Sequence, residues 1–226
     1  AKMAWLLQKN AEIRERAESG EICLGTIDSW LLWQLTQEHV FKTDYSNASR
    51  TQLMNLQTLG WDEELAEIFG IPMECLPQIC DSDSVFGYTL MGGLFEKPVP
   101  ICAVLGDSHA ALFGQGCLLP GMSKATYGTG SSLMMNIGEK PTASSHGVVT
   151  SLAWKRRGRV EYVLEGNLNY TGAVITWLKE DMKLIQTAGE TEELALSANP
   201  ADETYLVPAF TGLGAPYWDE NARAAI

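Results

Sequence analysis

The sequence predicts an α/β protein of two domains, and three features indicate it. A continuous apolar run at residues 100–105 is typical of a buried strand, and a helix rich in Ala and Leu follows it up to Gly114. Helical patterns dominate the chain before this run. After it come four segments with the composition of strands, and then a further helix.

Two helices are predicted near the start of the chain. The first stops at Gly20, and the second begins where Thr26 or Asp28 would cap it. Trp30 and Trp33, in the second helix, are predicted to lie in the core rather than in a ligand site. The apolar residues of the first helix are Trp5, Leu6, Ile13 and Ala17.

Shorter elements are predicted between the second helix and the apolar run. Residues 39–45 have the composition of a strand, residues 46–50 that of a loop, and residues 61–69 that of a helix that Gly70 ends. Residues 73–98 are rich in Gly, Pro, Asp and Ser and are predicted to be irregular.

The second half is predicted to be a β-meander that passes into a helix at residues 169–185. Arg157 and Gly158 supply a hairpin turn between two of its strands. Strands are expected at 123–127, 132–137, 148–154, 160–164 and 206–210.

The charge balance argues against a nucleic-acid binder. The chain has 16 basic and 28 acidic residues, a net charge of −12, whereas binding phosphates requires clustered cations. The densest basic run, residues 155–159, is interpreted as a solvated hairpin tip. No apolar run is long enough to cross a bilayer, so neither nucleic acid nor a membrane is expected as a partner.

The cysteines indicate a reducing compartment. There are five, none in a CxxC pair, so no disulfide framework is expected. Cys102 and Cys117 lie in or beside apolar runs and are expected to pack as small hydrophobes. Since no signal peptide is visible either, the sequence predicts a cytoplasmic protein.

A change of pattern near residues 114–121 divides the chain into domains at 1–115 and 116–226. The chain starts directly on a helical pattern and stops in an apolar one without a turn or cap. We therefore expect both domains to be incomplete, the first at its start and the second at its end.

Asp107 is the first candidate for chemistry. It follows the predicted buried strand and opens a helix, which is where α/β folds place functional groups. A carboxylate there could take a proton from a substrate hydroxyl. Asp is equally suited to be a helix N-cap, and the residues alone leave both interpretations open.

Two glycine-containing segments are candidates for binding phosphate. Gly128, Thr129 and Gly130 lie between two predicted strands, where glycines let a phosphate approach backbone amides. A plain β-turn would have the same sequence. Gly172 lies near the start of a predicted helix, where it would admit a nucleotide or only allow close packing.

Other classes of site lose support. The chain has no Walker GxxxxGK[ST] and no GxGxxG segment, and its three histidines form no metal-binding pattern, so no metal ligands are predicted. Residues 106–108 resemble the nucleophile block of GDS-type esterases, with Ser108 as nucleophile. Such enzymes need an Asp-x-x-His element for the base, and none of the histidines has one.

Taken in order, the motifs of the chain resemble the FGGY carbohydrate kinases, and the resemblance covers essentially all 226 residues. Each motif is weak alone, but their order and spacing are specific. The matching segments are GTIDSWLLW at 25–33, TDYSNASRT at 43–51, GD…AALFGQ at 106–115, TYGTG at 126–130, EKP at 139–141, EY…EG at 161–166 and PAFTGLGAPYW at 208–218.

This resemblance implies an actin-like, ribonuclease-H-like ATPase fold with two domains flanking a cleft. It implies ATP and Mg²⁺ as cofactors, a small polyol or sugar as acceptor, and Asp107 as catalytic base in contact with the acceptor. The family places Gly128, Thr129 and Gly130 at the nucleotide phosphates. Gly172 and Thr176 fall at later positions of the chain that contact the nucleotide in the family.

Three residues depart from the glycerol-phosphorylating members that the chain most resembles. Those members carry Gln at the position of Ser108, Phe at that of Ser132 and Gln at that of Thr176. Ser108 and Ser132 are therefore assigned to the acceptor site. A serine in place of Phe enlarges and polarises that site, which suits a longer polyol or a ketose.

Phosphorylation of glycerol is the function that the resemblance favours. A pentulose kinase of the same family and a catalytically incomplete nucleotide-binding fragment are the alternatives. The sequence leaves the acceptor, the oligomeric state (a homo-oligomer included) and allosteric control open. Because segments that carry the first phosphate loop and the adenine pocket are missing, we expect these residues alone to turn over slowly or not at all.

Overall fold

The computed structural model describes residues 2–226. These residues form two compact units. The first unit extends to Gly121 and also includes Asn136–Thr142 and Ser151–Val163. The second unit comprises Met122–Met135, Ala143–Thr150 and Leu164–Ile226.

The first unit begins with two short helices where the sequence predicts one. Helix α1 spans Lys2–Lys9 and helix α2 spans Ala11–Glu18. Asn10 separates them because its side chain accepts a hydrogen bond from the backbone N–H of Ile13, as a helix N-cap does. The core of this unit packs around buried residues from these helices and from later segments, namely Leu7, Ala17, Leu24, Leu53, Ile71, Cys75 and Leu76.

Helix α3 spans Ile27–Leu35, but the prediction that its tryptophans belong to the core is wrong. Trp30 is 56% exposed and Trp33 is 38% exposed. The buried face of α3 instead contains Asp28, Ser29 and Leu32. Asp28 is held there because the hydroxyl groups of two threonines, Thr26 and Thr43, donate to its carboxylate. Thr26 occupies the N-cap position, as expected, although its hydroxyl does not bond to the helix backbone.

The central part of the first unit consists of short elements. Strand β1, Lys42–Asp44, is shorter than predicted, and helix α4, Tyr45–Ala48, replaces part of the predicted loop. This helix forms because Asp44 caps it, accepting from the backbone N–H groups of Ser46 and Asn47. The next strands are β2, Met54–Asn55, and β3, Gly60–Trp61, which pair antiparallel.

Helix α5 spans Glu63–Phe69 and ends as predicted at Gly70, whose φ of 63° is left-handed. Strand β4, Gln78–Cys80, then pairs in parallel with β1. Two single turns of 3₁₀ helix occur at Met73–Cys75 and Met91–Gly93.

The predicted buried strand at residues 100–105 is the largest error in the first unit. Strand β6 covers only Val99–Ile101, and it pairs only with β5, Gly87–Thr89. Residues 102 and 103 are exposed, so Cys102 does not pack as a small hydrophobe, whereas Cys117 does. Apolar composition alone does not make a strand: beyond Ile101, individual hydrogen bonds hold the backbone instead of a ladder. Helix α6, Asp107–Gly114, follows as predicted.

Four strands follow α6, as the sequence predicts. They are β7, Ser123–Tyr127; β8, Ser131–Gly138; β9, Val149–Arg156; and β10, Arg159–Leu168. They form one sheet in the order β7-β8-β10-β9, and β7 and β8 pair antiparallel. The predicted β-meander is therefore wrong, because β10 lies between the consecutive strands β8 and β9. Arg157 and Gly158 form the predicted hairpin turn, with φ values of 51° and 74° that suit a type I′ turn.

The end of the second unit has less regular structure than predicted. Helix α7 is limited to Gly172–Glu180, since the N–H groups of Asp181 and Met182 both bond to the carbonyl of Trp177. A short helix that the sequence analysis missed, α8, spans Glu190–Ser197. Residues 206–210 form no strand; Val207 makes an isolated bridge to Ala225.

Among residues 2–226, no helix combines the length and apolar composition that a membrane span requires. The five cysteines are all free thiols.

The cap of α5 generates a prediction about pH. The side-chain amide of Asn55 and the backbone N–H of Leu65 donate to Asp62, and these bonds hold the pKa of Asp62 below its usual value. A carboxyl with a lowered folded-state pKa stabilises the protein above its unfolded pKa and loses that contribution as pH falls through the folded value. We expect Asp62→Asn, which cannot titrate, to remove part of the acid-induced decrease in melting temperature between pH 6 and pH 2. If plots of melting temperature against pH are parallel for the variant and the unchanged protein, this prediction is contradicted.

Candidate active site

Asp107 is the first residue of α6 and is exposed. Gly106, not Asp107, occupies the N-cap position, and its carbonyl accepts from the backbone N–H of Ala110 at 2.7 Å. One carboxylate oxygen of Asp107 accepts from the backbone N–H of Ser108 at 2.6 Å. The N-cap interpretation of Asp107 is therefore wrong. Its carboxylate lies in the first turn, where the helix dipole favours negative charge.

The backbone that leads into Asp107 is fixed from outside the helix. The N–H of Val104 donates to the carbonyl of Ser82 at 3.1 Å, and the N–H of Gly106 donates to the hydroxyl of Ser46 at 2.8 Å. A side chain at position 106 would also be crowded, since a Cβ there would lie 2.9 Å from Nδ1 of His109. The position of Asp107 thus depends on tertiary contacts as well as on α6.

A buried carboxylate, Asp44, is connected to this backbone through the hydroxyl of Ser46. Asp44 was not among the site residues predicted from the sequence. Asp44 is fully buried and accepts five hydrogen bonds, from the backbone and side chain of Ser46, the backbone and side chain of Asn47, and the hydroxyl of Ser82. Burial raises the pKa of Asp44, while the hydrogen bonds from the backbone N–H groups of Ser46 and Asn47 and from the side chains of Asn47 and Ser82 act in the opposite direction. The only local signal is the N-cap pattern at residues 44–47.

In the second unit, the segment Gly128–Gly130 is the turn between β7 and β8. Its carbonyl groups contact the start of α7. The carbonyl of Gly128 accepts from the N–H of Gly172 at 2.9 Å, and that of Thr129 accepts from the N–H groups of Thr171 and Ala173 at 3.1 and 3.0 Å. The turn therefore satisfies N–H groups that the start of a helix leaves without a partner.

Close approaches of the backbone require glycine at positions 130 and 172. A Cβ on Gly172 would lie 2.5 Å from the carbonyl oxygen of Gly128, and a Cβ on Gly130 would lie 2.5 Å from that of Leu168. The alternative that Gly172 allows close packing is thus what the structure shows; a nucleotide contact at Gly172 stays a prediction. The side chain of Thr129 is exposed on the turn.

The remaining residues assigned to the site make local contacts. The hydroxyl of Thr176 donates to the carbonyl of Gly172 at 3.3 Å, one turn earlier in α7. The half-buried Ser132 donates to the carboxylate of the buried Glu165 at 3.1 Å. Ser108 is half-buried beside Asp107. No group of three His, Cys, Asp or Glu side chains that would hold a metal ion occurs in residues 2–226.

The two units place the predicted residues in separate groups. Asp107 and Ser108 lie in the first unit. The second unit brings together the turn Gly128–Gly130 and Gly172, and it also contains Ser132 and Thr176.

Comparison with known proteins identifies the family. Residues 1–114 match the N-terminal domain of the FGGY family of carbohydrate kinases, and residues 123–226 match its C-terminal domain. The chain belongs to the FGGY family. The resemblance inferred from the motifs is therefore confirmed.

Several known kinases are similar over most or all of the chain. Glycerol kinase 1 of Thermotoga maritima is 53% identical over 226 residues, which are 100% of this chain and 46% of that protein. The crystal structure of Plasmodium falciparum glycerol kinase with ADP is 37% identical with a TM-score of 0.89, over 99% of this chain and 45% of that one. A ligand-bound xylulose kinase from Lactobacillus acidophilus is 25% identical with a TM-score of 0.75, over 88% of this chain and 40% of that one.

These similarities confirm the predicted actin-like α/β fold class. The chain spans about half the length of the curated relatives that it matches, 46% for the Thermotoga maritima protein.

The contact between α7 and the Gly-Thr-Gly turn of this FGGY chain generates a second prediction. Gly172→Ala should lower the free energy of unfolding by about 1–3 kcal/mol, because the added methyl overlaps the carbonyl of Gly128. Urea denaturation followed by circular dichroism measures the change.

Gly189→Ala is the matched control. Gly189 precedes α8 in the same unit with a φ of −63°, and a Cβ there would meet no atom closer than 3.9 Å. This variant should stay within about 0.5 kcal/mol of the unchanged protein. Equal losses in the two variants would show that the close approach has no special role.

Proposed function

We propose that the full-length protein carrying this chain transfers the γ-phosphoryl group of ATP to a hydroxyl of a small polyol, with glycerol as the first candidate and Asp107 as the base. The observation that carries the proposal is the exposed carboxylate of Asp107, held at the start of α6 by an anchored backbone, in a chain of the FGGY kinase family. The naming of relatives about 50% identical as glycerol kinases supports this acceptor.

Asp107 would accept the proton of the acceptor hydroxyl. The hydroxyl oxygen forms a bond to the γ-phosphorus while the bond between that phosphorus and the oxygen of the leaving ADP breaks. Asp107 lies in the first turn of α6, beside the positive end of the helix dipole. The contact from the N–H of Ser108 restricts the orientation of the carboxylate. These features suit a base that must be charged and aligned before the acceptor arrives.

The Gly128–Gly130 turn would bind the phosphates of the nucleotide, with the exposed Thr129 closest to them. The residues present fit this role, because the carbonyls of the turn are already committed to α7, which fixes its backbone. Gly172 and Thr176 would contact the nucleotide further along α7. Mg²⁺, which neutralises phosphate charge when bound, would arrive with the nucleotide, since it commonly retains waters and substrate phosphates as ligands.

We also propose that residues 1–115 are the later part of the acceptor domain and residues 116–226 the earlier part of the nucleotide domain. The order of the two matched family domains supports this division. A cytoplasmic location and the absence of nucleic-acid and membrane partners stay predictions.

A pentulose kinase is the second candidate, and the residue that favours it is Ser132. This position lies on β8, and its hydroxyl contacts Glu165. A small polar residue there suits an acceptor with more hydroxyl groups than glycerol. Ser108 would contact the acceptor as well.

Substitution of Asp107 tests the reaction. Asp107→Asn keeps the shape and an acceptor for the N–H of Ser108 but cannot take a proton, so kcat should fall about 10²–10⁴-fold. Coupled detection of ADP release with glycerol, tetritols, pentitols and ketoses measures it. Ser108→Ala should retain phosphorylation; a protein that hydrolyses esters and loses that activity in Ser108→Ala would instead be an esterase.

Substitution of Ser132 tests the acceptor. Ser132→Phe should raise the KM of pentitols and ketoses relative to that of glycerol, because the ring removes space and a hydroxyl group. Ser132→Ala is the control, since it removes the bond to Glu165 without adding volume. If both variants change the KM values alike, the volume at position 132 does not select the acceptor.

A further inference from the structure

A chain of hydrogen bonds connects the buried Asp44 to the backbone next to Asp107. The hydroxyl of Ser46 donates to Asp44 at 2.9 Å and accepts from the N–H of Gly106 at 2.8 Å. Ser46 and Gly106 are 60 residues apart in the sequence. All these residues belong to the first unit.

The direction of these bonds is fixed by chemistry. A backbone N–H can only donate, so the Ser46 oxygen accepts from Gly106 and its proton must go elsewhere. The hydroxyl of Ser46 therefore donates its proton in a hydrogen bond to the Asp44 carboxylate. Asp44 itself is held by four further donors, so it cannot turn away without leaving several buried groups unsatisfied.

The link matters because the segment before Asp107 has no sheet to hold it. Strand β6 ends at Ile101, and the backbone between β6 and α6 is held by the bonds of Val104 and Gly106. The Ser46 bond is the closer of the two to Asp107. Ser46 is fully buried, so water cannot readily replace its hydroxyl if it is lost.

We propose that Ser46 is a positioning residue for Asp107, oriented for that role by Asp44. The inference rests on the proposed function, because it assigns Ser46 a part in the same phosphoryl transfer. Ser46 touches no reacting atom in this role; its hydroxyl sets where the first turn of α6 begins. A small displacement of a catalytic group is enough to reduce a rate about 100-fold.

Kinetics of the full-length protein provide the first test. Ser46→Ala should lower kcat about 10–100-fold with the KM for ATP within about 2-fold, since the nucleotide residues lie in the other unit. Ser46→Thr keeps the hydroxyl and should recover most of the lost kcat. In an Asp107→Asn background, Ser46→Ala should have little additional effect, because its action passes through the base.

Thr36→Val is the matched control. Thr36 is also buried. Its hydroxyl accepts from the backbone N–H of Val40 at 3.0 Å and donates to the backbone carbonyl of Leu32 at 2.6 Å. Neither of these two hydrogen bonds involves Asp44 or Gly106. Thr36→Val should lower the melting temperature and leave kcat unchanged, whereas loss of kcat in both variants would indicate general destabilisation and overturn the proposal.

Amide hydrogen exchange provides a readout that does not depend on activity. In Ser46→Ala, the peptide containing Gly106 should exchange faster, while the peptide containing Val40 should not; Thr36→Val should show the reverse. Unchanged exchange at Gly106 would overturn the link itself. If the unchanged protein phosphorylates no polyol or ketose, the proposed function fails, and the exchange experiment still decides whether Ser46 anchors this backbone.

Discussion

The hydrogen bonding of one buried charge, Asp44, underlies the arrangement of the first unit around α6. A carboxylate removed from water is costly unless donors surround it, and Asp44 has five. Those donors come from α4 and from Ser82, so the charge holds together segments that are 38 residues apart. Through Ser46 the same group of bonds extends to Gly106, the residue before Asp107.

The second unit uses backbone carbonyls for a similar purpose. The turn between β7 and β8 caps the start of α7 with the carbonyl groups of Gly128 and Thr129. Glycine at positions 130 and 172 is necessary because any side chain would collide with a neighbouring backbone oxygen. The second glycine of the Gly-Thr-Gly sequence, Gly130, is therefore explained first by packing. Its expected contact with phosphate builds on a backbone that this packing has already made rigid.

Two wrong predictions have the same physical origin. The apolar run at residues 100–105 and the pair Trp30 and Trp33 were both expected in a core because of their composition. Burial depends on what lies opposite a residue, and β6 has only β5 as a partner strand. In α3 the buried face instead contains Asp28, whose hydrogen bonds to Thr26 and Thr43 compensate for the loss of water.

The sequence by itself determined the features that depend on local backbone preferences. These include the helical segment that ends at Gly114, the turn at Arg157 and Gly158, and the end of α5 at Gly70. The order of motifs was also sufficient for the family. Only the tertiary structure showed that Ser46 anchors Gly106 and that Gly172 packs on Gly128. Those contacts join residues 60 and 44 positions apart, and no local pattern of residue types encodes a partner at such a distance.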